Sequence, residues 1–140
     1  MSLATPDFNA KVIDEFRANG GRVGGILEGA AVLLLHHQGA KSGRRYVNPL
    51  AYLADRGRYV IFASKAGAPT NPGWYHNLRA HPEVTIEVGT QTIEATASVA
   101  EGPERDRLYE RQVLVAPQFA EYQAGTERQI PVVVLTPRAS

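Results

Sequence analysis

Lys41-Ser42-Gly43-Arg44-Arg45 puts three cations, a hydroxyl and a glycine into five residues, between an apolar run that ends at Leu35 and the segment Tyr46-Val47-Asn48-Pro49-Leu50. Lys and Arg supply charge to a phosphate or carboxylate, while Ser42 and the amides around Gly39 and Gly43 supply directional donors. A second basic turn, Ala63-Ser64-Lys65-Ala66-Gly67, closes another apolar run and precedes Asn71-Pro72-Gly73-Trp74-Tyr75. Each turn alone reads equally well as a solvated hairpin tip, which also favours Gly, Lys and Ser. Two of them beside the only Trp predict a site for an acidic, aromatic cofactor. Trp74 would form a wall for a planar ring, against the commoner fate of core filling.

Other chemistries fit less well. The spacing Gly-x-x-x-x-Gly-Lys-Ser/Thr is absent, which excludes a nucleotide-hydrolase phosphate loop. His36 and His37 are adjacent, so on a strand they point to opposite faces, one to the core and one to a cavity, and no acidic cluster completes a metal site. His76 and His81 lie five apart, a poor spacing for shared ligation on a helix. With no cysteine, disulfides and thiolate catalysis are excluded. No Ser-His-Asp arrangement or carboxylate pair is visible, so the pattern suits an enzyme whose cofactor carries the reaction.

The elements that must position these groups are short. The 140 residues, 44% hydrophobic and 21% charged, suit one domain over 1–140. A net charge of +1 with a single basic cluster argues against nucleic acid as a partner. The longest apolar stretch, Ala30 to Leu35, is too short to span a bilayer, and a cytoplasmic location is expected. Asp7 to Asn19 reads as an amphipathic helix with Phe8, Val12, Ile13 and Phe16 on one stripe. Its mixed polar face favours packing on the core over peripheral contact with a membrane surface or cover of a ligand mouth.

Strands are expected at Val32–His36, Tyr46–Ala54, Arg58–Ser64, Val84–Val88, Ile93–Val99 and Ile130–Leu135, with Gly89-Thr90 turning the clearest hairpin. Asn71 as N-cap and Pro72 at the first helical position predict a helix to about Ala80, and Pro103–Val115 and Pro117–Ala124 also read as helical. About six antiparallel strands with short flanking helices imply an α+β or mainly β chain built on a small barrel. No βαβ alternation supports a dinucleotide fold.

Gly39-Ala40-Lys41-Ser42-Gly43, Val47-Asn48-Pro49-Leu50, Ala63-Ser64-Lys65, Asn71-Pro72-Gly73-Trp74-Tyr75-His76-Asn77-Leu78 and Ile130-Pro131-Val132-Val133 together resemble the deazaflavin-dependent nitroreductase family of actinobacteria, over about Phe16 to Pro137. The resemblance implies a split β-barrel of the FMN-binding type holding coenzyme F-420, an 8-hydroxy-5-deazaflavin with a phospholactyl and oligoglutamate tail. By position, Lys41, Ser42 and Gly43 would meet the phosphate or tail, with Arg44 and Arg45 replacing family charges that Ala40 and Tyr46 lack here. Tyr46, Val47, Asn48 and Pro49 would line the coenzyme, Ala63, Ser64 and Lys65 would continue that wall, and Trp74, Tyr75 and Asn77 would close the other side. The implied reaction is hydride transfer from the reduced coenzyme to a small-molecule acceptor, a quinone, an activated enone or a nitro compound. Tyr122 is the candidate hydroxyl to polarise the acceptor oxygen. Ala116 and Phe119 stand where the nitroimidazole-reducing member has tyrosines, so that activity is not expected here. The rival readings are an FMN-dependent split-barrel oxidoreductase and a non-catalytic coenzyme carrier.

Overall fold

A computed structural model describes residues 6–21, 31–68 and 70–138; the Phe8 side chain and Ala30, both named above, lie outside the described part. Helix α1 (Pro6–Ala18) precedes strands β1 (Val32–Gln38), β2 (Arg45–Ala51), β3 (Leu53–Asp55) and β4 (Arg58–Phe62). A 3-10 turn (Lys65–Gly67) leads to α2 (Gly73–Ala80), the hairpin β5 (Glu83–Val88) and β6 (Gln91–Ala100), then α3 (Gly102–Val115), α4 (Gln118–Ala124) and β7 (Val132–Pro137).

The strands form one sheet in the order β2-β1-β5-β6-β7-β4-β3, antiparallel at every step. The sheet curls until β2 lies against β4, which makes a half-barrel of the split-barrel type. Among the described residues seven strands appear where about six are expected, because the run Tyr46–Ala54 serves two ladders. β2 pairs with β1 as far as Ala51, the Tyr52 amide donates to the Ala31 carbonyl, and from Leu53 the chain pairs with β4 instead. The last strand starts two residues late: Pro131 has no amide to donate, but its carbonyl accepts from Ala63 N–H, and the ladder opens at Phe62 opposite Val132.

Alternation along the strands divides the core. Leu33 and Leu35 of β1, Ile61 of β4, Ile86 of β5 and Val133 and Leu135 of β7 bury one face together with Trp74, Tyr75 and Leu78 of α2. The opposite face of β4 and β7, Val60, Phe62, Val132 and Val134, packs on Leu108 and Tyr109 of α3. The opposite face of β1, Val32 and Leu34, takes Val12 and Phe16 of α1. β1 is apolar on both faces because both are covered.

Asp55, 3% exposed, ties the β3–β4 hairpin to α3 by accepting from Arg58, Arg107 and Arg111. The Arg107 and Arg58 guanidiniums outweigh its burial and hold the carboxyl far below the usual carboxylate range. The hairpin itself turns through Arg56 and Gly57, both at positive φ, the mirror-image turn that suits strand twist.

The packing of α1 makes a measurable demand. Phe16 is 1% exposed, so Phe16→Ala should lower unfolding stability by about 3–5 kcal/mol in urea titrations. A change within about 0.5 kcal/mol would show that α1 does not belong to the core.

Candidate functional site

A cleft of about 1090 Å³ opens where the curl brings β2 near β4. The β1–β2 turn contributes Gly39 to Ser42, β2 contributes Tyr46, Asn48, Pro49 and Leu50, and the end of β4 with the following turn contributes Phe62, Ser64 and Lys65. The amino end of α2 closes it with Pro72, Gly73, Trp74, His76 and Asn77, and His37 of β1 forms its back.

Of the residues expected from sequence, Lys41, Ser42, Tyr46, Asn48, Pro49, Ser64, Lys65, Trp74 and Asn77 come together in this lining. The others stand elsewhere. Arg44 and Arg45 are exposed beyond the lining, with Gly43 at the tip of the turn in the left-handed region. Val47 pairs with His36 and packs toward α1, on the face opposite Tyr46 and Asn48. Ala63 is buried in the core, and Tyr75 faces a separate cavity of about 220 Å³ with Leu78, Val99 and Val133. Tyr122 packs with Phe119, ring centroids 5.1 Å apart, in the aromatic cluster between α3, α4 and Phe62.

The helix start also differs from expectation. Pro72, not Asn71, occupies the N-cap position, and the Asn71 side chain accepts from Arg128 Nη1 at 2.7 Å. His36 turns away from the cleft and shares Glu87 with Arg17.

His37 is the group that sequence reasoning left without a partner. Its Nε2 contacts Asn48 Oδ1 at 2.6 Å and its Nδ1 contacts Asn77 Nδ2 at 3.0 Å. An amide NH2 can only donate and an amide oxygen can only accept, so the ring is neutral with its proton on Nε2. The Asn77 oxygen then accepts from Ala40 N–H at 2.9 Å, which fastens the basic turn to α2. Tyr46 stacks on the imidazole at 5.5 Å and 24°. Burial lowers the His37 pKa, and the Asn48 bond opposes the shift without cancelling it.

No Asp or Glu stands among the lining residues. Among the described residues Lys41, Arg44 and Arg45 pair with no carboxylate, and Lys65 Nζ donates only to Thr70 Oγ1 at 3.3 Å. The turn that carries Lys65 is tightly built. Lys65 has φ +45, and Gly67, at φ +81, lies so close to the Tyr122 backbone that a Cβ there would approach it to 3.0 Å.

A family model described as F420H(2)-dependent quinone reductase matches residues 10–137. The chain belongs to this family. An F420H(2)-dependent quinone reductase of Mycobacterium tuberculosis is 42% identical over 127 residues, covering 88% of this chain and 85% of the relative. A solved F420-H2 dependent reductase superposes with a TM-score of 0.70 at 38% identity, over 75% of this chain and 93% of that one. A pyridoxamine 5'-phosphate oxidase structure from Listeria innocua, 14% identical with a TM-score of 0.56 over 78% and 85% of the two chains, shares the fold.

For this member of the quinone reductase family the donor set of the cleft fits an anionic, ring-bearing coenzyme. Lys41 and Lys65 line the cleft without a carboxylate partner among the described residues, and Trp74 and Tyr46 are its aromatic lining residues beside Phe62.

The His37 shift has a definite sign. Because the folded value is lowered, the unfolded chain binds the proton more readily. The stabilisation is present above about pH 6.5 and is lost as pH falls from there toward the folded value. Melting temperatures of wild type and His37→Gln, followed from pH 8 to about pH 5, should converge at low pH. Parallel curves would refute a buried neutral imidazole.

Proposed function

We propose that this chain is a reductase that passes hydride from reduced coenzyme F-420 to a quinone-like acceptor held in the same cleft. The observation that carries the reading is the carboxylate-free cleft lined by Lys41, Lys65 and Trp74, the last 8% exposed. Two acidic side chains anywhere in that lining would argue against it.

Lys41, Ser42 and their two backbone amides are suited to the coenzyme's phosphate and carboxylates, whereas the Gly39, Ala40 and Gly43 amides donate to the Arg44 carbonyl, Asn77 Oδ1 and the Gly39 carbonyl, and Lys65 offers a second cation from the other turn. Arg44 and Arg45, beyond the lining, act on an extended tail by long-range attraction. Trp74, Tyr46, Pro49 and Leu50 present planar and apolar surface to a ring, and Asn48 and Asn77 are held in place by His37. The coenzyme, when bound, supplies the hydride and its electrons.

The remaining task is to orient the acceptor and to meet the charge that develops on its oxygen. The Ser64 and Tyr46 hydroxyls and the exposed His76 ring line the cleft and are the donors placed for that. Tyr122, behind the Lys65 turn, is placed to support the turn. Val12 and Phe16 of α1 are buried, so those two residues are not available to a membrane surface.

Purified protein should give a saturable change in deazaflavin fluorescence at micromolar coenzyme, and should oxidise the reduced coenzyme faster when a soluble quinone is added. Lys41→Ala and Lys65→Ala should each weaken coenzyme binding by roughly threefold to tenfold, with a steep dependence on salt. Unchanged affinity in both variants would remove the cationic turns from the site. Binding without quinone-dependent turnover would make the chain a carrier, and a bound yellow flavin would make it an FMN enzyme.

A further inference from the structure

Arg128, in the loop between α4 and β7, spends four of its five guanidinium N–H donors on one short stretch of chain. Nε donates to the Ala68 carbonyl at 2.8 Å, Nη2 to Ser64 at 2.8 Å, and Nη1 to Ala63 at 3.0 Å and to Asn71 Oδ1 at 2.7 Å. These acceptors bracket Lys65 on both sides and reach the start of α2. All are neutral, and among the described residues Arg128 pairs with no carboxylate.

The loop that carries Arg128 is itself held. Gln123 Nε2 donates to the Arg128 carbonyl at 2.8 Å, while Gln123 Oε1 accepts from Ile130 N–H at 3.0 Å and from Arg105 at 2.7 Å. A guanidinium so anchored is a rigid fork rather than a mobile charge.

Lys65 needs such a fork. A non-glycine residue at φ +45 is sterically disfavoured and persists only where its surroundings hold it. Among the described residues the 3-10 turn has two internal bonds, Gly67 N–H to the Ser64 carbonyl and Ala68 N–H to the Lys65 carbonyl. The Ser64 carbonyl serves both Gly67 and Arg128, so the fork completes the turn it grips.

We infer that Arg128 is a positioning residue for the coenzyme: it holds the Lys65 turn in a strained conformation that aims the Lys65 ammonium at the cleft, and it adds an unneutralised positive charge behind that wall. The inference rests on the function proposed above for this cleft. Burial lowers the Arg128 pKa, in keeping with a cation that lacks an acidic partner.

Two measurements on the full chain separate this role from ordinary packing. In ligand-free protein, Arg128→Gln should speed hydrogen exchange of the Gly67 and Ala68 amides by about tenfold or more, leaving Ile86 and Ala95 in the β5–β6 ladder protected. In fluorescence titrations with coenzyme F-420 of one tail length, Arg128→Gln should weaken binding about tenfold in the wild-type background and less than about twofold in the Lys65→Ala background. Unchanged exchange at Gly67 and Ala68, or equal losses in the two backgrounds, would overturn the inference. Should wild type fail to bind coenzyme, the proposed function falls, while the exchange arm still decides whether Arg128 holds the turn. If the Gln variant does not fold, Arg128→Lys keeps the charge but loses the fork, and it is judged by the same two criteria with smaller effects of the same sign.

Discussion

A buried imidazole with both nitrogens in use is the constraint on which this cleft depends. His37 is 7% exposed, and at that burial a polar atom left unpaired costs about 1–3 kcal/mol. Asn48 and Asn77 remove that cost only if β2 and α2 keep their present distances from β1. Asn77 in turn has one oxygen left, and the Ala40 amide takes it. Three elements and the basic turn are thereby set in one arrangement by a neutral ring with a fixed tautomer. A charged ring would put two donors, His37 Nδ1 and Asn77 Nδ2, face to face. Turning the Asn77 amide over would cure that and orphan Ala40.

The distribution of ion pairs does for charge what His37 does for geometry. Asp55 gathers Arg58, Arg107 and Arg111 at the β3–β4 hairpin, and Glu87 gathers Arg17 and His36 on the far face of β1. Acidic side chains are thus committed away from the cleft, and Lys41, Lys65, Arg44 and Arg45 are left to face solvent or ligand. The formal net charge of +1 conceals this, because a sum over the chain says nothing about where neutralisation occurs. An anion meeting the cleft encounters uncompensated cations on two turns, with Arg128 behind one of them.

How much of this was legible in the sequence follows from which interactions are local. The β5–β6 hairpin, α3 and the two basic turns depend on alternation, periodicity and glycine, and all were readable at close to their observed bounds. The break at Tyr52 was not, because it reflects a change of partner from β1 to β4 within an unbroken apolar run. Asn71 had the composition of an N-cap, yet a distant guanidinium claimed its side chain. Tyr75 is adjacent to Trp74, and one step along a helix turns a side chain by about 100°, enough to carry it from the cleft to the other cavity. Tyr122 is the fifth residue of α4, a helix whose docking is decided by Phe62 and Gly67, neither of them near it in the chain. Arg128 had no local signal, and strand alternation could say only that one of His36 and His37 meets a cavity, since what distinguishes both Arg128 and His37 is the set of hydrogen-bond partners that folding brings to them.

The two basic turns differ in how firmly they are held, and the chemistry explains why that difference is tolerable. The turn is exposed over residues 40–45, starts at a buried Gly39 and is fastened to α2 through one bond at Ala40, which suits contact with charges that act over several ångströms. The Lys65 turn is gripped by Arg128, backed by the Tyr122 main chain and strained at φ +45, next to the aromatic wall. Hydride transfer between two bound molecules requires near-contact geometry, and misplacement by an ångström is costly in rate. An enzyme that takes its reactive electrons from a coenzyme has orientation and electrostatics left to supply. On the function proposed for this cleft, the stiff Lys65 turn beside Trp74 suits the first of those tasks and the looser, cationic turn at Lys41 the second.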